Sequence, residues 1–221
     1  MRPLALGVTF ADSWQAFVEA PTTLGPRPGV REAWHRGRVH YALWMLRLED
    51  ERVLERKASI SQALAGFSTR PIAPADAHVT LSVAGFRGER MPAQDDEVHN
   101  WELEVTGRSL TMSPSDRFTI TIGGAHSFLT CAALKVSDPD GGLASLRSRT
   151  GADLRFGHPY LPHVTVSSYQ ADIPTSQIAA ALEPLRELPP LVVQIEAVEL
   201  VDYDARLEGA PLKTRARLPL G

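Results

Sequence analysis

The sequence predicts an α+β protein made of two similar halves, with antiparallel or mixed sheets. Strand-like runs of apolar and β-branched residues alternate with helical patterns, and most of the connecting loops are short. The order strand, helix, motif strand and further strands is followed by helix, motif strand, helix and strand. The motif is the tripeptide His-Val-Thr, which occurs at residues 78–80 and again at 163–165.

Composition indicates a globular protein and excludes several classes of function. The chain has 221 residues, of which 43% are hydrophobic and 22% charged, enough to bury a core as one large domain or two small lobes. Its 23 basic and 26 acidic residues leave a net charge of −3. Proteins that hold long nucleic acids by the backbone usually carry a positive excess, so we expect any nucleic acid to bind only locally, at an end or loop.

The single cysteine and the absence of long apolar runs indicate where in the cell the protein is expected. Cys131 is the only cysteine, which excludes an internal disulfide and a cysteine zinc cluster, and its apolar surroundings predict a buried core residue. No apolar run reaches the roughly 20 residues of a membrane helix, and we recognise no signal peptide. We therefore expect a cytoplasmic protein without a membrane partner. Nothing in the sequence requires an oligomer, so we expect a monomer.

Residues 1–37 are the least regular part of the chain. Asp12 or Ser13 is suited to cap a short helix, which is followed by a loop rich in proline and glycine up to Gly29. Trp34, His35 and His40 lie among arginines and could face nucleic acid, although we favour a solvated loop that leads to the first strand. We therefore divide the chain into an N-terminal extension, residues 1–37, and a single domain, residues 38–221.

The first half of the domain begins with an almost wholly apolar strand over 39–48. Asp50 is suited to cap a helix that ends near Ala65, and Gly66 follows as a stop signal. The first motif strand runs to about residue 86, and a polar loop follows over 87–97. Apolar and polar residues alternate over 101–106, which predicts a strand with one wet face.

The second half repeats this order. Residues 118–122 and 128–136 predict a pair of strands joined around Gly123 and Gly124, followed by a turn and a short helix. The second motif strand ends near Tyr169. Pro174 is suited to open a helix, which Pro184 should shorten. Residues 191–203 predict a strand or a bent pair, and 213–218 a final strand.

Each copy of the motif presents an imidazole beside a hydroxyl. Side chains alternate along a strand, so the histidine and the threonine two places later share one face while the valine points to the other. A cleft between both copies would hold two imidazoles and two hydroxyls. One imidazole can accept a proton while the other donates one, and the hydroxyls can bind phosphoryl oxygens. This set can cleave a phosphodiester without a metal or other cofactor.

The two motifs, His78-Val79-Thr80-Leu81 and His163-Val164-Thr165-Val166, resemble those of the two-histidine (2H) phosphoesterase superfamily. The most similar branch comprises the bacterial RNA 2′,3′-cyclic phosphodiesterases, historically called 2′-5′ RNA ligases, and the resemblance covers about residues 38–218. It implies a bilobal α+β fold in which two sheets flank a central cleft and helices lie outside. It also implies metal-independent hydrolysis of a cyclic phosphate, with ligation of RNA ends as the reverse reaction.

The resemblance assigns His78, Thr80, His163 and Thr165 as catalytic, with His163 as the favoured base and His78 as the acid. Residues 1–37 depart from compact members of the family. The usual arginine soon after the first motif also has no direct equivalent, and the nearest candidate is Arg87.

Substrate-binding candidates lie close in sequence to the motif strands. Five aromatic side chains could stack a base, although core packing is an equal alternative for each: Tyr41, Trp44, Phe86, Tyr160 and Tyr169. Arg87, Arg90 and Arg155 could neutralise phosphate. His126 is the first reserve if a third catalytic histidine is needed.

Two other functions remain open. The protein could be a non-catalytic module that binds a nucleotide or an RNA end in the same cleft. It could also be a metallohydrolase in which His78, His163 and His126 ligate zinc, although their spacing does not match a common histidine zinc motif.

Overall fold

The computed structural model describes residues 9–88, 94–151 and 160–221. Within these residues the helices are α1 Phe10–Glu19, α2 Val30–His35, α3 Glu51–Ala63, α4 Asn100–Met112, α5 Gly142–Arg149 and α6 Thr175–Leu182. The strands are β1 His40–Arg47, β2 Thr69–Pro71, β3 His78–Gly88, β4 Glu97–His99, β5 Phe118–Ser127, β6 Cys131–Ser137, β7 His163–Tyr169, β8 Leu191–Ile195, β9 Ala197–Asp204 and β10 Lys213–Pro219.

Within the described residues the strands form one ten-stranded sheet, whose two halves meet at the motif strands. One half has the order β10-β9-β1-β3 and the other β7-β6-β5-β8, and β3 pairs with β7 between them. Neighbours along this path are antiparallel, whereas β4 adds to β3 in parallel. The predicted α+β class with mixed strand pairing is confirmed. In the described part of the chain no helix is long and apolar enough to span a membrane.

The two faces of the motif strands differ in burial. Val79, Leu81, Val164 and Val166 are fully buried and belong to the main core. The histidines and threonines of both motifs are half-buried on the opposite face, which we call the site face. The alternation predicted from the sequence therefore holds in both copies.

Helices from each half pack against the motif strand of the other half. The first, α3, begins where predicted, since the Asp50 carboxylate accepts a hydrogen bond from the Arg52 N–H at 2.9 Å. Its apolar residues Val53 and Ile60 are fully buried. It contacts β7, whereas α5 contacts β3. The main core thereby extends beneath both motifs.

The prediction of a strand over residues 101–106 is wrong, because this segment lies in α4. The His99 ring accepts a hydrogen bond from the Trp101 N–H, and the Glu102 carboxylate accepts one from the His99 N–H at 3.1 Å. Leu103 and Leu110, two helical turns apart, are buried, while Trp101 is 51% exposed. The period of the buried residues is therefore helical.

The turn predicted at Gly123 and Gly124 is also wrong. Strand β5 continues through both glycines, and its pairing with β6 is shifted there by a bulge. A Cβ on Gly124 would collide with the carbonyl oxygens of Leu185 and Arg186, so glycine here permits close backbone packing. The reversal between β5 and β6 instead falls at residues 128–130.

The bent pair predicted over 191–203 joins the two halves. Strand β8 pairs with β5 and β9 with β1, and only Glu196 separates them. The helix predicted after Pro174 forms as α6 and ends at Leu182, before a 3₁₀ turn that contains Pro184.

The N-terminal extension contains two helices instead of one. Thr9, not Asp12 or Ser13, caps α1, and Asp12 supplies the reciprocal bond of the capping box. Helix α2 forms where a solvated loop was expected, and Trp34 packs on the rings of Tyr41 and Phe86.

Candidate active site

The two motifs are brought together by the pairing of β3 with β7. Val79 and Val164 are Cα partners in this antiparallel pair. A histidine and a threonine flank this pair on each strand. The positive charge of His163 lowers the pKa of His78, which is consistent with two imidazoles that lie near each other. Both imidazoles and both hydroxyls therefore belong to one patch of the site face.

The same backbone contact holds each imidazole. Nδ1 of His78 lies 2.7 Å from the Asp76 carbonyl oxygen, and Nδ1 of His163 lies 2.7 Å from the Leu161 carbonyl oxygen. A carbonyl oxygen only accepts, so Nδ1 of each ring carries a proton and donates it. Nε2 is then the atom that can take up or release a proton. Each histidine bonds a carbonyl two residues before it.

Burial lowers the pKa of both motif histidines from the ordinary value of 6.5, and the carbonyl bond of each acts in the opposite direction. The positive charges of Lys57 and His163 lower the pKa of His78 further. Lys57 is 4% exposed, and burial lowers its own pKa to about 8. The neutral form of both imidazoles is therefore favoured at pH 7 before an anion binds.

Neighbouring side chains restrain the two threonines. The Tyr160 hydroxyl donates to the Thr80 carbonyl oxygen at 2.6 Å, which ties β3 to the segment preceding β7. The Thr165 side chain forms a hydrogen bond with Cys131, and burial raises the pKa of that thiol to about 11. Cys131 is half-buried and stays protonated at neutral pH.

An aromatic cluster with tilted and edge-to-face contacts flanks His163. The Phe128 ring lies 4.8 Å from the His163 ring and 4.8 Å from the His126 ring, measured between centroids. His126 is 2% exposed because α1 covers it, with Ser13 Oγ 3.1 Å from its Nε2. Burial lowers the pKa of His126 to about 4. His126 therefore belongs to the interface with α1. A substrate cannot reach its ring, so His126 is not available as a third catalytic histidine.

Residues 50–207, more than half of the chain, match the model of the 2′-5′ RNA ligase superfamily. This chain belongs to the 2′-5′ RNA ligase superfamily. A comparison with proteins of curated function finds no match. This family consists of phosphoesterases and RNA-ligase-like proteins, so membership supports an enzyme in general.

Solved structures share the fold of this superfamily member. The protein TT0787 of Thermus thermophilus is 17% identical with a TM-score of 0.55, covering 81% of this chain and 97% of its own. Escherichia coli LigT complexed with 3′-AMP is 18% identical with a TM-score of 0.55, covering 82% and 98% respectively. LigT complexed with NADP⁺ is 18% identical with a TM-score of 0.54, covering 83% and 99%. These neighbours are matched almost completely, whereas part of this chain extends beyond them.

Three of the proposed base-stacking residues are core residues in this superfamily member. Trp44 and Tyr169 are each 1% exposed and Phe86 is 2% exposed. Trp44 faces α4 on the side of the sheet away from the histidines, and the Tyr169 hydroxyl lies 2.6 Å from Ser127 Oγ. A ring without an open face cannot stack a base, which corrects the expectation for these three residues.

Tyr41 and Tyr160 are half-buried. The Tyr41 ring contacts those of Trp34, Phe86 and Tyr203, at 4.8, 4.7 and 5.8 Å between centroids. One face of Tyr160 is covered by the Arg147 guanidinium, 3.9 Å from the ring centroid. Both tyrosines support the site from its margin.

Arg87 does not lie beside the motif histidines. Its guanidinium donates to Asp202 Oδ2 at 2.6 Å and to Asn100 Oδ1 at 3.2 Å, beneath α4. Asp202 is fully buried, so Arg87 neutralises this carboxylate and not a phosphate. The expected phosphate role of Arg87 is therefore corrected. Arg90 and Arg155 lie outside the described residues.

Two neighbours of the site, Arg47 and Phe128, carried no signal in the sequence, and a third, Trp34, was favoured as part of a solvated loop. Arg47 is the Cα partner of His78, and its guanidinium donates to Glu199 Oε2 at 3.0 Å. Phe128 and Trp34 reach the site face through a tight turn and through α2, respectively. Only strand register and helix docking reveal these positions.

The described ranges contain no cluster of potential metal ligands. Among residues 9–88, 94–151 and 160–221, no three histidine, cysteine or acidic side chains converge as a metal site. Metal independence stays a prediction.

Proposed function

We propose that this protein is a metal-independent phosphoesterase that hydrolyses 2′,3′-cyclic phosphates, at RNA ends or on small nucleotides. Catalysis is by general acid–base transfer from two histidines. The pairing of the two motif strands at Val79 and Val164 carries this proposal, because it gathers both imidazoles and both hydroxyls on one face. The matching Nδ1 contacts support it further, since they direct Nε2 of each ring away from its own backbone.

The reaction needs a base on one side of phosphorus and an acid on the other. Neutral His163 removes a proton from water through Nε2, and the oxygen of that water forms the new bond to phosphorus. The bond from phosphorus to one ribose oxygen breaks, and protonated His78 donates its Nε2 proton to that oxygen. Thr80 and Thr165 bind the non-bridging oxygens as negative charge develops. If the hydroxyl of a second RNA end takes the place of water, the same steps form a phosphodiester between the two ends, with the ribose oxygen leaving as before.

Substrate class is supported by ligands of the structural neighbours. Escherichia coli LigT is crystallised with 3′-AMP, NADP⁺ and ATP. We infer from these that the present site also accepts a nucleotide or the end of an RNA, bound locally as the net charge of −3 suggests.

The proposal is tested by hydrolysis of nucleoside and oligonucleotide 2′,3′-cyclic phosphates in the presence of a chelator. His78→Gln and His163→Gln should each lower kcat by about 10²- to 10⁴-fold, because each removes one proton transfer. His40→Gln is the matched control, since the His40 side chain is 50% exposed and lies outside the motifs. Wild-type activity in either motif variant would refute the proposal.

A binding module with the same cleft is the second candidate. It would bind a nucleoside cyclic phosphate without forming product in this assay. Loss of activity with the chelator, restored by zinc, would instead favour the metallohydrolase. The monomeric state and cytoplasmic location remain predictions, testable by size-exclusion chromatography and cell fractionation.

A further inference from the structure

The N-terminal extension crosses the site face from one half to the other. Helix α1 covers His126, and the following chain is anchored by Thr23, whose N–H donates to the Ile173 carbonyl at 2.8 Å. The Leu24 N–H donates to the Leu129 carbonyl at 2.7 Å. Helix α2 then sets Trp34 against Tyr41 and Phe86 in the first half. The extension is therefore an ordered wall beside the motifs.

A groove lies between this wall and the sheet. A cavity of about 370 Å³ has His78 and Asp76 among its lining residues, together with Trp34 of α2 and Tyr203 of β9. A second cavity of about 480 Å³ shares Trp34, Arg31 and Arg70 with the first. We call the two together the extension groove. It connects a motif histidine with residues that precede the segment matched by the family model.

The chemistry of the groove suits a flat, uncharged ring. Its lining is largely apolar, and the arginines that line it form hydrogen bonds or ion pairs within the protein. Arg70 binds Glu208 at 2.8 Å and Gln170 at 2.6 Å, and Arg31 donates to the Ala205 carbonyl at 3.0 Å. The large apolar side chain of Leu207, at the margin, is 58% exposed. Concave sites lined mostly by apolar side chains are typical of small-molecule ligand sites.

The position of His78 indicates that the base of a nucleotide occupies the extension groove. A phosphate between the two imidazoles leaves the rest of the substrate to extend along one side. The half-buried Trp34 ring lies in the groove that starts at His78, and bases stack readily on such rings. Arg27 and Arg70 pair with Asp172 and Glu208, and the lining also carries the Asp76 carboxyl, so little net positive charge is left for a second phosphate and the groove favours a base over a continuing RNA backbone.

We propose that the extension groove is the subsite for the nucleobase of the substrate, with Trp34 as its stacking platform. This inference rests on the proposed function and specifies its substrate as a nucleotide whose base lies on the His78 side. The ribose then lies between Trp34 and the phosphorus, which makes His78 the proton donor to the departing ribose oxygen.

The test measures binding of adenosine 3′-monophosphate and of inorganic phosphate by titration calorimetry. Trp34→Leu should weaken binding of the nucleotide by about five- to a hundredfold, the range for loss of one stacked base. Binding of phosphate should not change, and Trp34→Phe should restore nucleotide binding. Trp101→Leu is the matched control, because Trp101 is 51% exposed at the start of α4.

A second variant protects the test against misfolding of Trp34→Leu. Leu207→Asn removes an exposed apolar group from the groove and should measurably weaken nucleotide binding. Val105→Asn, at a side chain that is 54% exposed on α4, serves as its control. Circular dichroism checks the fold of every variant.

Binding and hydrolysis together separate the two proposals. Wild-type protein that fails to bind the nucleotide more tightly than phosphate, or variants at Trp34 and Leu207 that bind it normally, would overturn the subsite. Binding that depends on Trp34 without hydrolysis of adenosine 2′,3′-cyclic phosphate would support the subsite and refute the phosphoesterase. If Trp34→Leu and Leu207→Asn hydrolyse the substrate with an unchanged KM, the phosphoesterase proposal is supported and the nucleobase subsite is refuted.

Discussion

At the scale of single residues, the two motif histidines share one arrangement. Each donates from Nδ1 to the carbonyl two residues earlier, and burial lowers the pKa of each. Their environments differ, because Lys57 lies near His78 while the Phe128 ring packs on His163. A nearby positive charge and an aromatic ring thus distinguish two otherwise equivalent imidazoles.

These lowered pKa values predict the pH dependence of catalysis. In the free enzyme the base must be neutral and the acid protonated, so kcat/KM should be greatest between two pKa values that both lie below 6.5. Bound phosphate adds negative charge and raises the pKa of the acid, so the maximum of kcat should lie at higher pH. Pre-steady-state and steady-state rates measured from acidic to mildly alkaline pH would give both profiles. A kcat/KM maximum on the alkaline side of neutrality would contradict this prediction.

At the scale of secondary structure, α1 buries a titratable group beneath it. His126 is 2% exposed, its ring lies 4.9 Å from that of Phe10, and its pKa is about 4. The unfolded chain, with a histidine pKa near 6.5, binds this proton more readily than the folded chain does. The contribution of neutral His126 is therefore complete above pH 6.5 and is lost as the pH falls towards 4.

This predicts an acid-sensitive anchor for α1. Between pH 6.5 and 4 the wild-type free energy of unfolding should fall more than that of His126→Gln, by up to about 3 kcal/mol. Urea unfolding at a series of pH values measures the difference. If the free energy of unfolding changes equally with pH in both proteins, the pKa of His126 is not lowered in the folded state and the prediction is contradicted.

At the scale of the whole molecule, buried charges connect strands that are distant in sequence. Arg87 of β3 and Arg215 of β10 both donate to Asp202 of β9, at 2.6 and 2.9 Å. On the site face, Arg47 of β1 and Arg217 of β10 donate to Glu199 of β9. Strand β1 lies between β3 and β9, so the first of these groups reaches across the whole first half.

Removing the charge of Asp202 should destabilise the protein strongly. Asp202→Asn leaves two arginines without their buried partner, and the free energy of unfolding should fall by about 3–5 kcal/mol. Glu196→Gln is the matched control, because Glu196 and its partner Arg117 are 61% and 52% exposed and such pairs contribute about 1 kcal/mol or less. Urea denaturation measures both, and equal losses would contradict the prediction.

Local chemistry explains which elements were predicted well. The Asp50 cap and the two motif strands depend on residues close in sequence, and all form as predicted. Alternation over 101–106 was misleading, because the capping box at His99 starts a helix whose buried side is defined by contacts with β3, β4 and β10. Gly124 was misread as a turn because its role depends on the backbone of a distant segment.

By itself the sequence determined which side chains can perform the chemistry, since period-two alternation sets each histidine and threonine of a motif on one face. Tertiary structure alone decided that the two faces coincide, through the pairing of Val79 with Val164. It also decided that Arg87 serves Asp202 and that Trp34 lines a groove at His78. The physical reason is that register and helix docking depend on contacts between residues far apart in the chain, which no local pattern records.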